Sequence, residues 1–210
     1  MAKVYVIGMG VSNYEYRLPR AENLILTADT LIGAKRHLDG LDMVDKQQVY
    51  LENGFDDAIE YIKKFYEQEQ ICILVSGDPG FHSFLGYLKR NLSNIPIEVI
   101  PGISSIQVFF ARLEMMWHDA AIVSLHGRKT DIAMLAKSSE KLCVLTDGLV
   151  TPSVIAKELI EAGIDKKIMA IGERLGYEDE KISKMRLAEA IDYDADPLNV
   201  VVIYDEDIQI

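Results

Sequence analysis

Short, β-branched apolar runs alternate along this chain with longer amphipathic stretches, the pattern of an α/β protein whose strands are covered by helices. Val4-Tyr5-Val6-Ile7 is an almost unbroken apolar run that stops at Gly8, as a strand buried on both faces does. Thr30-Leu31-Ile32-Gly33, Gln48-Val49-Tyr50, Ile71 to Ser76 and Ile97-Glu98-Val99-Ile100 read as further strands. Pro19 suits a first helical turn and predicts a helix through Ala21 to Thr27. Phe55, Ile59, Ile62 and Phe65 share one face at helical spacing, and Asp56 and Asp57 sit where the helix dipole favours acids. Further helices are expected over Gly80 to Arg90 and Ser104 to Leu113. The pattern breaks over 114–120. A second series follows, with strands at 121–124, 141–146, 167–171 and 198–204 and helices at 131–137 and 152–162. This predicts two α/β domains, residues 1–113 and 121–210, joined by a linker at 114–120.

Composition narrows the class. The 210 residues are 49% hydrophobic and 26% charged, an ordinary globular balance with length enough for two cores. The net charge is −11: residues 1–113 carry 11 basic and 14 acidic side chains (net −3), and 114–210 carry 11 and 19 (net −8). Such a chain is not expected to bind nucleic acid through a basic surface. No apolar run reaches the roughly 20 residues of a membrane span, and the first residues lead into a strand rather than a signal peptide. A cytoplasmic protein is expected. Cys72 and Cys143 each lie in an apolar run and read as buried thiols. No His, Cys and carboxylate spacing makes a metal site, so none is expected.

Candidate chemistry collects where strands end. Gly8-Met9-Gly10 follows the first strand, but Asn13 stands where a dinucleotide fingerprint needs its third glycine. A plain turn accounts for the glycines equally well. Ser76-Gly77-Asp78-Pro79-Gly80 exposes a carboxylate at the carboxyl end of a buried strand, where open α/β sheets bind ligands; the alternative is a tight turn in which Asp78 caps a helix. In Pro101-Gly102-Ile103-Ser104-Ser105 the serines are either helix caps or hydroxyl donors to a ligand. Ser124-Leu125-His126-Gly127-Arg128-Lys129 and Gly172-Glu173-Arg174-Leu175-Gly176-Tyr177 close two strands of the second half. His126 is either a locally bonded imidazole or a base, and Glu173–Arg174 either an ion pair or a site. Lys35-Arg36-His37 is either a solvated face or an anion contact.

In order, the blocks IGMG, LIGAKRHL, LVSGDPGFHSF, VIPGISSIQ, SLHGRK, LTDG, GERLGY and PLNVVV cover nearly the whole chain and together resemble the tetrapyrrole methylase family. KRHL, SLHGR and GERLGY are the blocks most similar to its cobalt-precorrin-7 C5-methyltransferase branch, also found as the amino-terminal half of bifunctional precorrin-6Y C5,15-methyltransferases. The resemblance implies two α/β domains with S-adenosylmethionine in the cleft between them, usually in a homodimer. It implies methylation of C5 of a (cobalt-)precorrin in cobalamin biosynthesis, by alignment of an electrophilic methyl group with a ring carbon. By the same resemblance Gly8, Gly10, Ser76, Gly77, Asp78, Phe81, Ser104 and Ser105 hold the cofactor from the first domain, and Thr146, Asp147, Leu198 and Asn199 from the second. His126, then Glu173, are the candidate bases for the C5 proton. A carboxylate-rich substrate meeting an acidic protein calls for a local basic mouth, for which Lys35, Arg36, Arg128, Lys129 and Arg174 are the candidates.

Two departures stand out. Val11-Ser12 replace the Pro-Gly that relatives carry after the second glycine, and Glu178 replaces a proline after GERLGY. The 210 residues hold no second methylase module, so C15 methylation and decarboxylation are expected on a separate protein. Alternative functions are methylation of another carbon or another tetrapyrrole, a nicotinamide-dependent oxidoreductase resting on Gly8 and Gly10 alone, and a non-catalytic tetrapyrrole carrier.

Overall fold

The apolar runs of the first half all become strands of one sheet. The computed structural model describes residues 3–11, 14–41, 45–125 and 130–208, divided into two units, Met1–Ser104 and Ser105–Ile210. In the first unit β1 (Val4–Gly8), β2 (Thr30–Gly33), β3 (Gln47–Tyr50), β4 (Ile71–Val75) and β5 (Ile97–Ile100) pair in the order β3-β2-β4-β1-β5, every neighbouring pair parallel. Successive side chains face opposite ways, and both faces are covered. Tyr5, Ile7, Leu31, Cys72 and Leu74 meet Ala21 and Ile25 of α1 (Pro19–Thr27) and Leu38 of α2 (Lys35–Leu38). Val4, Val6, Ile71 and Ile73 meet Ala58, Ile59 and Ile62 of α3 (Phe55–Phe65) and Leu88 of α4 (Leu85–Asn91). Burial pushes the Cys72 thiol up to about 12, so it stays protonated.

The strand order places the crevice. The chain leaves β1 across β4 to reach β2, and leaves β4 across β1 to reach β5, so the two connections run in opposite directions. With right-handed crossovers α1 and α4 cover opposite faces, and the carboxyl ends of β1 and β4 lie side by side at a topological switch point. The helix expected from Gly80 begins only at Leu85. Gly80 N–H donates to Asp78 Oδ1 at 2.7 Å, His82 takes a left-handed φ of 47°, and Ser83 Oγ donates to the Pro79 carbonyl, which uses the intervening residues in a turn.

In the second unit β6 (Ala121–Ser124), β7 (Lys141–Leu145), β8 (Lys167–Glu173), β9 (Lys181–Arg186) and β10 (Asn199–Asp205) pair in the order β6-β7-β10-β8-β9. β6 and β7 run parallel; the other neighbouring pairs are antiparallel. With α5 (Ser105–Arg112), α6 (Ile132–Ser138), α7 (Pro152–Glu161) and α8 (Leu187–Ala190) they complete the unit. Leu142, Val144, Ile155, Ala156, Leu159, Met169, Ile171, Val201 and Ile203 form its core. Asp131 and Thr151 cap α6 and α7 through their side-chain oxygens, and Pro152 sits in the first turn of α7.

The division falls one helix earlier than the expected 1–113 and 121–210. Helix α5 packs on the second sheet, where the Phe109 ring lies so close to Gly172 that a Cβ there would stand 2.7 Å from Cδ2. The 114–120 segment is tied into the same unit. Lys141 Nζ donates to the Met116 carbonyl at 2.9 Å and pairs with Asp119 at 2.6 Å. Among the described residues no helix is long and apolar enough to cross a membrane.

Candidate active site

At the switch point three loops meet through backbone alone. Met9 N–H donates to the Val75 carbonyl at 2.9 Å, and Gly10 and Gly77 exchange bonds at 3.3 and 2.9 Å. A Cβ on Gly8 would stand 2.6 Å from both Gly77 O and Gly102 N, and one on Gly102 would collide with the Gly77 carbonyl. Glycine is required at this junction because the backbones themselves are in contact. Asp78 locks it: Oδ1 accepts from Gly80 N–H, and Oδ2 accepts from Gly102 N–H at 3.1 Å. Asp78 thus ties the loop after β4 to the loop after β5 and does not cap α4. Phe81 sets its ring edge-on to His82 at 4.6 Å, and Ser104 ends the loop whose next residue, Ser105, opens α5.

Beside this junction the loop after β2 brings in charge. Arg36 Nη2 donates to Ser76 Oγ at 2.5 Å, and His37 Nε2 lies 2.9 Å from the same oxygen. Burial, then the Arg36 and Arg17 charges, push the His37 pKa down to about 4 against a smaller upward pull from Glu52. The ring is neutral near pH 7, and with Arg36 already donating to Ser76, the hydroxyl proton is directed to the imidazole. Lys35 N–H donates to Glu52 Oε1 at 2.7 Å; that bond comes first among the causes holding the Glu52 carboxyl below its usual range.

In the second unit the remaining sequence candidates share one sheet edge. Because β10 runs antiparallel to β7 and β8, its first residues stand beside their last: Val200 pairs with Leu145, and Asn199 with Glu173. Thr146 Oγ1 lies 2.8 Å from Asn199 Oδ1 and 3.0 Å from the Asn199 carbonyl. Asp147 Oδ1 accepts from the N–H groups of Leu149 and Val150 at 2.8 and 2.7 Å. Leu198 stays exposed, its N–H bound to Asp196 Oδ1 and its carbonyl to Arg174 N–H.

Two expectations change at this edge. Glu173 is buried, with Tyr193 O–H donating to Oε2 at 2.5 Å and Asp196 N–H to Oε1 at 2.8 Å, while Lys181 Nζ lies 3.7 Å away. Its carboxylate holds the 190s loop against β8 and β9. Arg174 is paired with Asp179 at 2.6 Å and lies over the Tyr177 ring at 4.8 Å, so its guanidinium already has a carboxylate partner. His126, Arg128 and Lys129 lie outside the described residues.

The sequence pattern of the Tetrapyrrole (Corrin/Porphyrin) Methylases matches residues 3–191. The chain belongs to that family. A Methanocaldococcus jannaschii protein named "Probable cobalt-precorrin-7 C(5)-methyltransferase" is 35% identical, covering 99% of this chain and 100% of its own. The cobalt-precorrin-7 C(5)-methyltransferase of Salmonella typhimurium is 32% identical over 96% of this chain and 98% of its own. Among solved structures, the uroporphyrin-III C-methyl transferase of Thermus thermophilus, complexed with S-adenyl homocysteine, superposes with a TM-score of 0.79 at 23% identity over 97% of each chain. At that identity the superposition establishes a shared fold.

Two side chains of this tetrapyrrole methylase escaped the sequence reading. His37 was visible only as part of a basic cluster, and its contact with Ser76 spans 39 positions. Arg17 belongs to no motif; its side chain is nearly buried and its Nη1 donates to Glu22 Oε2 at 2.7 Å.

Proposed function

We propose that this chain is an S-adenosylmethionine-dependent methyltransferase that methylates C5 of a (cobalt-)precorrin in cobalamin biosynthesis. The observation that carries the reading is end-to-end similarity, above 30% identity, to two proteins named for that reaction. The residues of the first unit fit the cofactor. Backbone meets backbone at the Gly8–Gly77–Gly102 junction, at the carboxyl ends of parallel strands, and among the described residues each Asp78 oxygen accepts one bond, which leaves a lone pair for a hydroxyl or amino group.

When bound, S-adenosylmethionine supplies an electrophilic methyl group. The protein's share is alignment: the junction, Ser76, Phe81, Ser104 and Ser105 hold the donor from the first unit, and Thr146, Asp147, Leu198 and Asn199 are proposed to contact it from the second. Orientation of this kind supplies several kcal/mol of barrier lowering, on the order of 7 in favourable cases. Lys35, Arg36, Arg128 and Lys129 are proposed to meet substrate carboxylates. His126 is the proposed acceptor of the C5 proton, with Glu173, bound by Tyr193 and the Asp196 N–H, as the second candidate. A homodimer acting in the cytoplasm belongs to the same reading.

The deciding experiment is incubation with carbon-13 methyl-labelled S-adenosylmethionine and cobalt-precorrin-7 under anaerobic conditions. The expected product is heavier by one labelled methyl group, located at C5 by NMR. Label at another ring carbon would move the enzyme elsewhere in the family's chemistry, and binding of the donor without transfer would favour a tetrapyrrole carrier.

A further inference from the structure

We propose that Asp196, anchored on the buried Glu173, is a positioning residue for the methyl donor, setting Leu198 and Asn199 where the chain enters β10. The inference rests on the reading that Leu198 and Asn199 contact S-adenosylmethionine.

Residues 191–198, between α8 and β10, form neither helix nor strand. Ile191, Tyr193 and Ala195 pack against the core of the second unit, and Asp192 and Asp194 between them are exposed. That alternation ends at Ala195. Pro197 and Leu198 are exposed, so apolar burial does not fix the last turn before the strand. A segment with neither ladder bonds nor a buried face is placed by its side-chain to backbone bonds.

Asp196 supplies three bonds here. Its N–H donates to Glu173 Oε1 at 2.8 Å, its Oδ1 accepts from Leu198 N–H at 2.7 Å, and its carbonyl accepts from Asn199 Nδ2 at 2.7 Å. The bond from Oδ1 to the N–H two residues on makes an Asx turn, and Pro197 fixes the φ of its middle residue. Glu173 is braced in turn: Tyr193 O–H donates to Oε2, and Ser183 Oγ lies 2.9 Å from the same phenol oxygen. On the other side Asn199 Oδ1 lies 2.8 Å from Thr146 Oγ1, and the Leu198 carbonyl accepts from Arg174 N–H at 2.9 Å.

A continuous series of hydrogen bonds thus runs from β8 and β9 through Asp196 to Thr146, with the exposed Leu198 side chain carried on it. Three of the residues proposed to meet the donor are ordered by it before any ligand arrives. Breaking the series at Asp196 frees Leu198 and Asn199, and the entropy of ordering them again is subtracted from donor binding.

The test uses the whole protein with S-adenosylhomocysteine as the probe. Asp196→Ala removes the Oδ1 acceptor, Asp196→Asn keeps one at the same place, and Leu198→Ala removes the proposed contact itself. In calorimetry Asp196→Ala is expected to bind the probe about tenfold more weakly, and Asp196→Asn to stay within about twofold of the parent. With cobalt-precorrin-7, Asp196→Ala should raise the KM for S-adenosylmethionine by a similar factor while kcat and the KM for the tetrapyrrole change little. A merely structural role would not separate the two KM values. Hydrogen exchange followed by NMR gives a readout without ligand: Leu198 N–H should exchange faster in Asp196→Ala than in the parent or Asp196→Asn. If Asp196→Ala lacks a cooperative urea transition, Tyr193→Phe, which removes only the hydroxyl bracing Glu173, should weaken the probe about threefold.

Unchanged affinity in Asp196→Ala together with a loss in Leu198→Ala would overturn the positioning role and leave the donor contact standing. Unchanged affinity in both would overturn the contact as well, and unchanged Leu198 exchange in Asp196→Ala would overturn the proposed geometry. A loss in Asp196→Ala with none in Leu198→Ala would support positioning through Asn199. Failure of the parent protein to bind S-adenosylhomocysteine would remove the methyltransferase reading, and this proposal with it.

Discussion

Neutral His37 carries a measurable consequence for stability. Its folded pKa of about 4 lies below the ordinary 6.5, so the unfolded chain takes up the extra proton first as pH falls. The stability associated with the neutral ring is complete above pH 6.5 and is lost as pH drops toward 4. The loss across that window is on the order of 3 kcal/mol. His37→Gln should flatten the decline, which urea unfolding at about pH 7 and about pH 4.5 would reveal. An equal decline in both proteins would mean that the ring is not held neutral. At the same scale, glycines at 8, 10, 77 and 102 were legible as turn formers, but their common purpose was not. Only the folded chain brings Gly8, Gly77 and Gly102 into backbone contact, where any Cβ at Gly8 or Gly102 would collide.

Among elements, long amphipathic segments and unbroken apolar runs were read correctly because burial on one or both faces leaves a period in the sequence. Strand β9 left none. Lys181-Ile182-Ser183-Lys184-Met185-Arg186 is an edge strand with a single neighbour, β8, and it needs little apolar surface. The late start of α4 was hidden for a different reason: the turn depends on side-chain to backbone bonds of Asp78 and Ser83, which no periodicity records. Helix α5 was expected in the right place and assigned to the other unit, since its apolar face does not say which sheet it meets. Its seat on β8 makes a prediction. Gly172→Ala should destabilise the protein by about 1–3 kcal/mol through its clash with Phe109, and Phe109→Leu should offset part of that cost in a double-mutant cycle followed by urea unfolding. Strict additivity would place Phe109 away from Gly172.

Over the whole molecule, charge and chemistry pull in opposite directions. A net charge of −11 repels a carboxylate-bearing substrate at long range, whereas the basic groups proposed at the site would attract it only at short range. Raising ionic strength from about 20 to about 150 mM should therefore speed cobalt-precorrin-7 association, because the far field is screened before the near contacts are. Stopped-flow absorbance would measure it. A rate that falls with salt would mean that a basic surface dominates the approach.

The sequence by itself determined the α/β class, the strand ends at which chemistry collects, and the family, because each leaves a local mark in residue type or spacing. Tertiary structure alone decided the strand order that sets β1 beside β4, the reversal of β10 that brings Asn199 to Thr146, and the fate of individual charges. Glu173 and Arg174 stand in the sequence as bare charges, and their partners at Tyr193, Asp196 and Asp179 come only with the fold. His37 meets Ser76 in the same way. A charge is defined by its neighbours within a few ångströms, and those neighbours arrive from positions far along the chain.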